Sequence, residues 1–99
     1  PYDGEVVTVV SECGVDDAKE AVAIAKEAFE ACSKSPLSQR IAWLEDVVKY
    51  ITQNKEEFAQ SIAKEVAKPI AFARVEVDRC IETIKLTAME LVNLGGHTI

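Results

Sequence analysis

The sequence predicts a mainly α fold: about four helices packed as an irregular bundle, with a short N-terminal β-strand. Three observations carry this. Apolar residues recur at helical spacing in four separate stretches. Pro36 and Pro69 fall where helices would start. A single early run, Glu5 to Val10, is rich in β-branched residues. The expected bounds are a strand at about 5–10 and helices at about 15–33, 36–53, 55–67 and 69–93, all in one unit over 1–99.

Pro1-Tyr2-Asp3-Gly4 reads as a turn leading into the strand. A lone strand cannot satisfy its own backbone groups, so its partner is a very short neighbour or lies elsewhere. The first helix begins near Val15, with Asp16 and Asp17 suited to the positive end of its dipole. Ala18, Ala21, Val22, Ala25, Ala28, Phe29 and Cys32 form its apolar stripe, and Lys34 lies near its C-terminal end. Most of that stripe is small, so a neighbour can approach closely.

Ser35 is expected to cap the second helix, with Pro36 as its first residue. Leu37, Ile41, Leu44, Val47, Val48 and Ile51 make its main face, with Trp43 and Tyr50 as a flanking aromatic seam. Asn54 with Glu57 resembles a capping box for the third helix, whose apolar face is Phe58, Ile62, Ala63 and Val66. Pro69 ends that helix near Lys68 and opens the fourth. The fourth helix is apolar on two sides. Ile70, Ala73, Val77, Cys80, Ile81, Ile84, Ala88 and Leu91 form the main stripe, with Phe72, Val75 and Leu86 roughly opposite. Such a helix packs between two layers, and four helices supply only one. Gly95-Gly96 reads as its stop. Both chain ends read as interior to something longer.

With 99 residues, 48% of them hydrophobic, the chain suffices for one small globular unit. A net charge of −6 argues against nucleic acid and anionic membrane as partners. No apolar run nears the roughly 20 residues of a membrane span. Three widely spaced cysteines, Cys13, Cys32 and Cys80, do not make a disulfide framework and fit a reducing, cytoplasmic setting.

Residues for chemistry are sparse. Cys32 and Cys80 lie on apolar stripes and read as small packed hydrophobes. Cys13 lies between the acids Glu12 and Asp16, poor surroundings for a thiolate nucleophile. His97, the only histidine, sits beside the Gly-Gly pair as a surface loop residue, and no zinc-ligand spacing exists. Gly4, Gly14, Gly95 and Gly96 form neither a dinucleotide fingerprint nor a phosphate loop. Acids such as Glu56, Glu57, Glu65, Glu76, Asp78 and Glu82 read as solvated helix faces. No catalytic or cofactor-binding residue is expected within the chain.

The order of segments nonetheless resembles the N-terminal part of the NAD(P)-dependent aldehyde dehydrogenase superfamily. Tyr2-Asp3-Gly4-Glu5-Val6 resembles the family's opening Asn-Pro-x-x-Gly-Glu-Val with its first two residues cut away. Asp16-Asp17, Ala21-Val22, Ala25 and Ala28-Phe29 resemble its first helix. Pro36-Leu37-Ser38-Gln39-Arg40 resembles its Pro-Leu-x-x-Arg opening of the second. Glu65-Val66-Ala67-Lys68-Pro69 resembles Glu-x-Gly-Lys-Pro, and Ala71, Arg74, Glu76, Val77 and Asp78 resemble the stretch that follows. The departure is Ala67, where the family has a glycine that would serve as a left-handed cap. Alanine is expected to end the third helix differently.

The resemblance implies that this is a fragment of a larger α/β enzyme, packing around a cofactor domain. That enzyme would oxidise an aldehyde to a carboxylic acid with NAD or NADP, through a cysteine and a glutamate that lie downstream of the matching region. It implies no cofactor bound by the chain alone, the remainder of the parent as partner, and a homo-oligomeric parent. It also implies that Thr87 and Met89 border a substrate tunnel and that Asp78 helps hold a monovalent cation. The run from Val75 to Thr83 is most similar to the branch acting on lactaldehyde, phosphorylated aldehydes or succinate semialdehyde. The rival expectation is an independent helical module for protein interaction or self-association, using the Trp43/Tyr50 seam and the second face of the fourth helix.

Overall fold

A computed structural model describes residues 3–96, and these are mainly helical. The order is α1 (Val15–Cys32), α2 (Leu37–Gln53), α3 (Lys55–Val66) and α4 (Ile70–Gly96). Pro1, Tyr2 and residues 97–99 lie outside the described residues, and with them His97, expected as a surface loop residue.

No strand forms among the described residues, so the strand expected at 5–10 is not shown. Val6, Val7, Val9 and Val10 are all exposed. β-Branched residues favour an extended backbone, but a strand also needs a neighbour to complete its ladder, and the described residues supply none. Before this segment, Gly4 takes a left-handed φ of 78°. Asp3 Oδ1 accepts the Glu5 N–H at 3.0 Å, which closes the turn.

α1 starts at Gly14, whose N–H donates to Asp17 Oδ2 at 2.9 Å. Asp16 and Asp17 fill its first turn. The helix packs against none of the others. Its stripe is therefore exposed, Phe29 and Cys32 included, and the expectation that Cys32 packs is corrected. The irregular bundle consists of α2, α3 and α4 alone.

α4 is the spine on which α2 and α3 lie. Ala59 of α3 and Ala73, Val77 and Ile81 of α4 form the buried core, and Val48, Ile51, Ile62, Ala63 and Ile70 pack around it. Ala59 and Ala73 are fully enclosed, so small side chains set the close approach of α3 to α4. Cys80 is exposed, against expectation, because it falls at the margin of the stripe rather than at its centre. Phe72, Val75 and Leu86 on the other side of α4 are exposed, Phe72 by 66%. Gly95 and Gly96 continue α4 instead of stopping it.

The joints differ in detail from the sequence reading. Pro36 is the cap of α2, with φ −63° and ψ 152°, and its carbonyl accepts the Gln39 and Arg40 N–H groups. Ser35 stays in the linker. Pro69 likewise precedes α4 and accepts from Phe72 and Ala73. Proline's fixed φ suits either position, so its register was open by one residue. Asn54 provides no side-chain cap to α3. Its amide donates to the Tyr50 carbonyl at 2.8 Å and so caps the end of α2. Tyr50 meets Phe58 edge-to-face, ring centres 6.1 Å apart, rather than forming a seam with Trp43.

Ala67 ends α3 in the left-handed conformation, with φ 55° and ψ 36°. This overturns the expectation that alanine would end the helix in another way. The residue before a proline avoids α conformation, so the reversal cannot fall on Lys68 and falls on Ala67. An L-residue held there costs about 1–2 kcal/mol relative to glycine, offset in part by glycine's larger loss of chain entropy. Ala67→Gly is expected to stabilise the chain by about 0.5–1 kcal/mol, and Ala67→Val to destabilise it. Urea unfolding followed by circular dichroism measures both.

The chain exposes 8212 Å², whereas a compact monomer of its mass exposes about 5,500 Å². The excess, about 2,700 Å², is well above the roughly 800 Å² that each partner buries in a standard protein interface. The radius of gyration, 17.9 Å, also exceeds the roughly 13 Å of a compact chain of this length.

Candidate functional site

An apolar groove of about 400 Å³ lies between α2 and α4. Ile41 and Val48 of α2 face Ala88, Met89 and Val92 of α4 across it, with Glu45 and Lys85 supplying its polar lining. The groove exists because the two helices meet closely only in the core around Val77 and Ile81. Beyond it, in the second half of α4, no third helix fills the space between them.

The three residues singled out in the sequence do not converge. Met89 lines the groove and is 66% exposed. Thr87 lies two residues earlier, a spacing that turns it to another side of the helix. Its hydroxyl donates to the Thr83 carbonyl at 2.8 Å. Asp78 lies near the α3 end, where its carboxylate meets Lys55 Nζ at 2.8 Å. Among the described residues, no group of three potential metal ligands gathers around it.

Beside Asp78 is an ion pair that sequence reading missed. Arg74 donates from Nε to Glu56 Oε2 at 3.0 Å and from Nη2 to Oε1 at 2.9 Å. Gln60 adds a bond to Oε1 at 3.1 Å. Eighteen residues separate the partners, so helical spacing alone gave no signal for the pairing. The Arg74 hydrogen bonds foremost, and then Gln60, hold the Glu56 carboxyl at about 2, far below its ordinary 4.5. Its stabilising contribution is therefore complete above about pH 4.5 and is lost as the pH falls towards 2. Both groups are exposed, so the effect is small and screened by salt. Wild type is expected to lose stability through this window, and Glu56→Gln to lack that component, in urea midpoints measured across pH. On the far side of the α3–α4 joint, Lys68 pairs with Glu76.

None of these features suits a dinucleotide. Pyrophosphate binding uses free backbone N–H groups at a helix N-terminus and glycines that admit close approach. At α1 the Gly14 N–H is already taken by Asp17, and Asp16 adds a second negative charge. Cys13, Cys32 and Cys80 are exposed thiols on separate parts of the chain.

The comparison with protein families settles the lineage. The model described as the aldehyde dehydrogenase family matches residues 1–99. The chain belongs to the aldehyde dehydrogenase family. Among curated members, it is 39% identical over 88 residues to a lactaldehyde dehydrogenase of Methanocaldococcus jannaschii, covering 89% of this chain and 19% of that protein. It is 40% identical over 86 residues to malonate-semialdehyde dehydrogenase 1 of Oceanobacillus iheyensis, covering 87% and 18%. Malonate-semialdehyde dehydrogenase 2 of Shouchella clausii is 36% identical over 99 residues, covering 100% and 20%. The chain thus spans about a fifth of the length of the curated relatives it matches. No solved structure matches it significantly. Among the described residues of this family member, no helix is long and apolar enough to cross a membrane.

Proposed function

We propose that this chain is the N-terminal helical segment of an NAD(P)-dependent aldehyde dehydrogenase and that its own role is structural. The observation that carries the reading is the family match over all 99 residues at about a fifth of its relatives' length. The uncovered apolar surface supports it: α1, the far side of α4 and the run from Val6 to Val10 are faces to be covered by the remainder of the parent. The parent oxidises an aldehyde to a carboxylic acid and is a homo-oligomer. Its substrate is a short aldehyde bearing a hydroxyl or carboxyl group, a choice supported by the lactaldehyde and malonate-semialdehyde names of the relatives. Three free thiols support a reducing, cytoplasmic setting.

NAD or NADP supplies the hydride acceptor in the parent, and the described residues do not fit it. The chain's contribution is to position other parts. Met89, exposed on the α2–α4 groove, is a wall of the substrate tunnel. Thr87 borders the same tunnel only if its side of α4 is also covered. Asp78 serves as a cation ligand only if Lys55 is displaced from its carboxylate.

Two titrations test the reading together. The 99-residue chain is expected to give no saturable heat with NAD or NADP in calorimetry. The parent protein, captured with an antibody to this chain, is expected to reduce NAD or NADP when given lactaldehyde or malonate semialdehyde. Saturable cofactor binding by the chain, or a captured protein inert toward every aldehyde supplied, contradicts it.

A further inference from the structure

We propose that Arg40 is a positioning residue: a latch that fixes the direction of α1 relative to α2. α1 packs on no other helix of this chain, so hydrophobic contact within the chain does not orient it. It is joined to α2 by the short segment 33–36. Turn bonds from Lys34 N–H to the Ala31 carbonyl and from Ser35 N–H to the Cys32 carbonyl hold the start of that segment to α1. At its end, Pro36 is extended and opens α2.

Across this elbow, Arg40 Nη2 donates to the Cys32 carbonyl at 3.1 Å and to the Ser33 carbonyl at 3.3 Å. Those carbonyls lie at the negative end of the α1 dipole, where a guanidinium is favoured by charge as well as by hydrogen bonding. α1 has no basic residue in its own last turn. The cation that caps it comes from the first turn of α2, and the cap is therefore also a brace between two helices. Among the described residues, it is the side-chain tie that joins α1 to the rest of the fold. α1 acts as a lever about the elbow, so a small loosening at Arg40 becomes a wide swing at Val15. By holding the lever, Arg40 sets where the Ala18–Phe29 stripe is presented.

Paired spin labels on the full chain test this. The labels occupy Glu20→Cys in α1 and Lys49→Cys in α2, with Cys13, Cys32 and Cys80 changed to serine. Cys32 contributes only its carbonyl, which survives the change. Labelled protein is diluted in excess unlabelled protein, so that only distances within one chain are read. The expected result is a narrow distance distribution that at least doubles in width in Arg40→Met, which keeps the stem and loses the donors. Arg40→Gln, a good helix former too short to reach α1, is expected to widen it equally and covers a folding fault peculiar to methionine. Arg74→Met, which breaks the α3–α4 pair instead, is expected to leave the width unchanged. A broad distribution in the unsubstituted chain, an unchanged width in both Arg40 variants, or equal widening by Arg74→Met overturns the proposal.

Discussion

Replacing Val77 with aspartate is expected to abolish cooperative unfolding of the α2–α4 unit. Val77 is 3% exposed and sits among Ala59, Ala73 and Ile81. The cations bordering it are engaged: Arg74 with Glu56 and Lys55 with Asp78. A carboxylate there is buried without a partner, which costs several kcal/mol, about 3–5 by analogy with broken buried pairs. A chain of this size has about 5–15 kcal/mol of stability in a full domain, and the small buried core places this one at or below the lower end. Urea titration followed by circular dichroism reads the result as loss of the sigmoidal transition. Val75→Asp is the matched control, because Val75 is exposed on the far side of α4. It is expected to leave the chain's own transition in place and to destabilise the parent protein, in which that face is covered. Equal tolerance of Val75→Asp by chain and parent contradicts the covering.

The second large effect concerns α1. Isolated helices of about 12–15 residues are marginal in water, and α1, at 18 residues, has no packing to assist it. Its backbone amides are expected to exchange with solvent at least about 100-fold faster than those from Val77 to Ile81 in α4. In the parent the docked stripe would slow the α1 amides towards the α4 rates. Hydrogen exchange read by mass spectrometry resolves the two helices. Similar protection of α1 and α4 in the chain alone contradicts the account of an unpacked helix.

Local pattern made the helices legible. Apolar spacing named the core of α4, with Ala73, Val77 and Ile81 on the stripe that is buried. Periodicity reports which residues share a face but not whether that face meets anything. For that reason Cys32 read as packed and is exposed, and the run at 5–10 read as a strand and finds no partner among the described residues. Asn54 was legible as a cap residue, yet its amide serves the helix before it rather than the one after. Ala67 shows tertiary and chain constraints overriding residue preference, since Pro69 forces the reversal two positions upstream. The long side chains were least legible. Arg40 reaching the α1 carbonyls and Arg74 reaching Glu56 depend on how helices are juxtaposed, which spacing along one helix does not encode. Of the candidate site, Met89 alone is placed on the groove, while Thr87 and Asp78 lie apart from it.

Whether a larger enzyme covers these faces is tested most directly by the mass of the native product, read by blotting an extract of the source cells with an antibody to this chain. The expected result is a band about five times the chain's 10.8 kDa, in line with the length of its relatives. A band at 10.8 kDa itself would contradict it and return the exposed faces to self-association or an unrelated partner.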